Sequence, residues 1–201
     1  MSVREAETEQ RRTPRQKVIA VVVVVVVAAL GIAGWLALSG ANVFGLGQPK
    51  MWTVSGLEAF VDDIDDEFGT TEVVEAYLAE NFATVEVPVD GDASRTITYK
   101  YDGGFTESRK GTRPADESEG LIDLRELDAE KTLALLPDAP AMAGLPDGEV
   151  SAILIMLAYG PDSEVADVPE VSVHVETEFG ETGSVRADLS GDVVSVDATS
   201  D

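Results

Sequence analysis

The chain has 201 residues, 38 acidic against 14 basic side chains, a formal net charge of -24 and no cysteine. The missing cysteine excludes disulfides, thiolate metal sites, a cysteine nucleophile and a lipid-modified cysteine anchor. The charge repels phosphate backbones and no basic face offsets it, so nucleic acid is excluded as a partner.

Residues 1–17 carry Arg11, Arg12, Arg15 and Lys17 close together. From Val18 to Leu38 there follow 21 residues with no charged side chain, which as a helix would be roughly 31 Å long and match a bilayer's hydrocarbon core. The spacing predicts a single transmembrane helix over 18–38, with the bilayer as its partner. Basic residues on its N-terminal side place that end in the cytoplasm and the rest of the chain outside. The run exceeds the usual apolar segment of about 7 to 15 residues in a signal peptide, which favours an uncleaved anchor over cleavage near Ala37-Leu38-Ser39. Residues 39–51, with Gly45, Gly47 and Pro49, read as a tether. Five basic and three acidic residues precede Gly40, so nine basic and 35 acidic ones, a net -26, lie beyond it.

Residues 52–110 read as a first α+β half. Ser55-Gly56-Leu57-Glu58 matches a capping box, so a helix is expected from Ser55. Leu57, Phe60, Val61, Ile64 and Phe68 form its apolar face, Asp62, Asp63, Asp65 and Asp66 the opposite one, and Gly69 ends it. Thr71 to Leu78 reads as a strand. Val85, Val87 and Val89, then Ile97, Tyr99 and Tyr101, alternate with polar residues as half-buried strands do. Residues 106–120 contain no large apolar residue and predict a mobile loop, its 111–120 part acidic.

Residues 121–201 read as a second half. Asp128 caps a helix over Ala129 to Leu136, and Pro137, Pro140 and Pro146 keep the chain beyond it from continuing as one helix. Glu149 to Ala158 contains Ile153 to Leu157 in succession, as a central strand buried on both faces would. Val171, Val173 and Val175 alternate with polar residues, and strands follow at Val185 to Leu189 and Val193 to Ala198. Shifting residues 83–107 by 88 positions superposes their pattern on 171–195, which argues for an internal duplication. The fold class expected is therefore α+β: a single N-terminal transmembrane helix, then an ectodomain of two helix-plus-antiparallel-sheet halves.

With Glu80-Asn81-Phe82-Ala83 between strands and Gly183 to Val193 near the end, residues 52–199 resemble the tandem PepSY-like modules of actinobacterial anchored or secreted proteins. That resemblance implies a role in restraining peptidases or in sensing at the envelope. Pro137 and Pro140 depart from the uninterrupted second helix it would bring.

No residue is expected to be catalytic or to bind a cofactor or metal. His174, the only histidine, falls on the polar side of an alternating strand and reads as a solvent-facing neighbour, without the nucleophile and orienting group a base requires. The run Asp62, Asp63, Asp65, Asp66 and Glu67 fails the calcium-loop test, because Phe68 stands where a glycine turns the loop and Val74 where a bidentate Glu belongs. Asn42 and Asn81 lack the residues that glycosylation requires. These features predict a noncatalytic, membrane-anchored extracytoplasmic binding or regulatory module that meets an envelope protein or a basic ligand. The alternatives are an accessory subunit acting through 18–38 and, least favoured, an envelope hydrolase.

Overall fold

The computed structural model describes residues 49–89, 92–113, 120–158 and 168–198. Contacts divide the chain into Met1–Gly45, outside the described residues, and Leu46–Asp201.

Helix α1 spans Val54–Phe68 and is capped by Thr53 rather than Ser55. The Thr53 hydroxyl accepts from the Gly56 amide at 3.1 Å and donates to the Lys50 carbonyl at 2.7 Å. Lys50 folds back so closely that a Cβ on Gly56 would lie 2.1 Å from its oxygen, which explains a glycine in the first turn. Gly69, at φ 69°, closes the helix. Leu57, Phe60, Val61 and Ile64 are its buried residues, the stripe expected from their spacing.

Ten strands follow: β1 (Glu72–Val73), β2 (Glu75–Ala79), β3 (Phe82–Val89), β4 (Asp92–Tyr101), β5 (Phe105–Thr112), β6 (Ile122–Asp123), β7 (Glu149–Leu157), β8 (Pro169–Glu176), β9 (Thr182–Asp188) and β10 (Val193–Ala198). Between β6 and β7 lie a 3-10 turn (Leu124–Glu126) and two short helices, α2 (Ala129–Ala134) and α3 (Ala139–Met142). Asp128 caps α2 by accepting from the Lys131 amide at 2.9 Å. The helix stops two residues short of Leu136, and α3 begins at Ala139 with Pro140 in its first turn.

Eight strands form one antiparallel sheet in the order β10-β9-β8-β7-β2-β3-β4-β5. Each half contributes a four-stranded meander, and the two join where β2 pairs with β7. Ala187, Val171, Ile155, Ala76, Val85 and Tyr99 line up across six strands on one face. On that face α1 closes the larger apolar cluster, with Phe60 5.0 Å from the Tyr101 ring, and α3 places Ala139 and Ala143 on Val173, Val175 and Val185.

Two expectations are corrected. The α+β description of two helix-plus-antiparallel-sheet halves gives way, among the described residues, to a predominantly antiparallel β structure whose eight main strands form one continuous sheet. The helices beside it are α1 and two short segments. No helix of the described residues is long and apolar enough to cross a membrane, and the run 18–38 lies outside them. The merger runs through β7, whose edges pair with β8 and β2; a strand with ladders on both edges lies inside the sheet, and Ile153, Leu154 and Ile155 are all buried there. The mobile loop expected over 106–120 is also overturned, because β5 occupies Phe105–Thr112. An edge strand is paired on one side only and can be fully hydrated, so it needs no apolar alternation. Residues 114–119 lie outside the described ones.

Candidate functional site

A second, two-stranded ladder positions one wall of an open groove in the helical layer. β1 pairs with β6 through Glu72–Asp123 and Val73–Ile122. The Thr71 hydroxyl donates to Asp123 at 2.6 Å, and the Leu124 amide donates to the Thr71 carbonyl at 3.1 Å. The Thr71 bond first, and then the Arg125 amide, hold the Asp123 carboxyl below its usual range. The 3-10 turn is thereby fixed alongside α1, and a groove of 560 Å³ lies between them.

One wall is a single stripe of α1, Val54, Leu57, Glu58, Val61 and Asp62, at the three- and four-residue steps that share a helix face. The other is Leu124, Arg125, Leu127, Asp128, Ala129 and Glu130. More of its lining surface is polar than apolar, because Leu57, Val61 and Leu124 are nearly buried, and its rim carries four carboxylates. The one cation on the rim, Arg125, is already engaged, with its Nη2 2.6 Å from an Asp65 oxygen. Asp128 faces Lys131 only distantly, at 3.9 Å. The groove therefore presents a polar surface in a negative field, a combination suited to a cationic ligand.

The acidic run of α1 is divided by its neighbours. Asp63 accepts from the Tyr101 hydroxyl at 2.5 Å and Asp65 is held by Arg125, while Asp62, Asp66 and Glu67 are exposed. Burial first, and Asp63 second, push the Tyr101 phenol above its ordinary range. Among the described residues no group of three or more His, Asp or Glu is arranged to hold a metal ion.

The opposite sheet face carries the second concentration of polar groups. Ser195, Arg186, Ser172, Leu154, Tyr77, Thr84, Lys100 and Thr106 form one row across all eight strands. Short side chains stand beside long ones, which is why Ser172 and Thr84 are buried on a face that no described helix covers. Beside this row, Glu75 and Glu86 sit directly opposite each other on β2 and β3. The Thr96 hydroxyl donates to Glu86. Burial foremost, with the Glu86 charge second, pushes the Glu75 carboxyl up to about 7, against the pull of Arg109 and Arg113. Sequence reasoning missed this pair: only the register sets the two glutamates side by side.

His174 lies on this face between Ala152 and Ser184. It is half-buried rather than solvent-facing, and burial followed by the Arg186 charge lowers its pKa. The register also sets Asp197 beside Ser184, yet the order is wrong for a hydrolytic triad, in which the histidine stands between the other two. Asp197 turns instead to Arg186, 2.7 Å away.

No family model matches the chain, and no solved structure matches it. Two uncharacterised proteins of Mycobacterium tuberculosis, one from strain CDC 1551 / Oshkosh and one from strain ATCC 25618 / H37Rv, are each 21% identical to it over 132 residues. The match covers 65% of this chain and 45% of each relative, so the chain spans under half the length of the curated relatives it matches.

Proposed function

We propose that the chain is a noncatalytic binding or regulatory module of the cell envelope, and that the groove between α1 and the 3-10 turn receives a cationic segment of an envelope protein. The observation that carries this reading is the groove itself. It has a mainly polar lining, four rim carboxylates, and a sole rim arginine already paired to Asp65.

The test is titration of the full chain with a helical peptide of lysine and leucine. Asp62→Lys and Glu130→Lys should each weaken binding about tenfold at low salt and by less at high salt, as screened charge pairs do. Glu107→Lys on β5 changes the net charge equally and should leave binding unaltered. Equal losses in all three variants would reduce the effect to net charge and remove the groove from the account.

The location belongs to the same proposal. The apolar run 18–38 and its basic N-terminal flank favour a membrane-held chain with residues 46–201 outside. Protease added to intact cells should then destroy a C-terminal tag, and a tag protected until the cells are lysed contradicts this topology.

A further inference from the structure

We propose that β10 is a docking edge, onto which a partner protein's extended segment, alternating apolar and cationic residues, adds as a ninth antiparallel strand.

The two edges of the sheet differ in a way that bears on function. An open edge presents unpaired backbone donors and acceptors, and proteins commonly guard such edges with charge. β5 follows that practice, with Glu107, Arg109 and Lys110 within its eight residues. β10 does not: all six of its residues are exposed, and three are valines, Val193 at 42%, Val194 at 60% and Val196 at 41%. Its single charge, Asp197, is held by Arg186. The ladder to β9 shifts between Val193 and Ser195, but Ser195 to Ala198 pair regularly with Arg186 to Gly183. That leaves a straight run whose outer side can accept another strand. On the helical side Met142 is 38% exposed. Its neighbour Ala143 is buried close to Gly183 of β9, the partner of Ala198.

Charge selects the occupant. Asp188 and Asp192 flank the start of the strand, and Glu176, Glu178 and Glu181 lie at or near the β8–β9 turn. Arg186 already faces both Glu170 and Asp197. A second copy of this chain would bring these acids against their own counterparts. A strand bearing Lys or Arg between apolar residues would meet them with opposite charge, while its backbone completes the ladder. This site is separate from the groove and does not depend on it.

The test uses the full chain and a labelled peptide of alternating valine and lysine, followed by fluorescence anisotropy. A second peptide of the same sequence is N-methylated at alternate residues, which keeps charge and side chains but removes ladder donors. It should bind at least about tenfold more weakly, because strand addition depends on main-chain hydrogen bonds. Val194→Lys and Val196→Lys should each weaken the unmethylated peptide about tenfold. Ser108→Lys on β5 should leave its binding unchanged. Equal binding of the two peptides to the unaltered protein overturns the proposal whatever the variants do. So does a chain that sediments as a dimer dissolved by Val194→Lys, since the edge would then take a second copy.

Discussion

Replacing Glu75 by glutamine should stabilise the folded domain by about 3 kcal/mol at pH 8 and leave it little changed at pH 4. The folded chain keeps a proton on this carboxyl up to about pH 7, whereas its ordinary value is 4.5. Stability contributed by that proton is complete below 4.5 and is lost as the pH rises through 7, at about 1.36 kcal/mol per unit over some two and a half units. Glutamine is neutral throughout and stays with the protonated form. The cause is positional: Glu75 is half-buried beside Glu86, and ionising it places two like charges on adjacent strands. His174 titrates in the opposite sense, since burial favours its neutral form and stability falls below about pH 6.5. That contribution is common to both proteins and cancels in their difference. Urea unfolding of the pair at pH 4, 6 and 8 provides the check, and parallel pH curves would mean that Glu75 ionises normally.

Ile155→Ala should destabilise the domain by about 2 to 5 kcal/mol, the range for truncating a fully buried isoleucine. Ile155 is 0% exposed and stands at the seam, between Ala76 of β2 and Val171 of β8. The larger expectation concerns cooperativity. If β2–β7 pairing makes one sheet, the cavity weakens both meanders together. Fluorescence of Trp52, measured in a Trp35→Phe background, reports the α1 side. Hydrogen exchange of β8 and β9 amides reports the other. Both should shift to lower denaturant by the same amount. A variant that loosens β8 and β9 while the Trp52 transition stays in place would show two halves that unfold independently.

What could be read from the residues alone was local. The stripe Leu57, Phe60, Val61 and Ile64 announces α1, Gly69 its end, Asp128 the start of α2, and the valines of β3, β8 and β9 their strands. Each of these signals is carried by neighbours within a turn or a pleat, where side-chain spacing and backbone geometry are coupled directly. The Ser55 cap failed for a reason outside its motif, since the carbonyl of Lys50 returns onto Gly56.

Everything that depends on which backbone lies beside which was decided by the tertiary structure. Main-chain hydrogen bonds between β2 and β7 carry no residue code, and the chain between them runs from Ala79 to Glu149. β5 likewise becomes a strand only because β4 offers it a ladder, despite a composition that reads as loop. The Glu75–Glu86 pair arises from the register of β2 on β3. The groove arises from a 3-10 turn tied through Asp123 and Leu124 to Thr71, about fifty residues earlier. Sequence by itself determined the charge, the helix face and the alternation of the strands. Long-range pairing decided the single sheet, its one guarded and one open edge, and the surfaces on which binding is proposed.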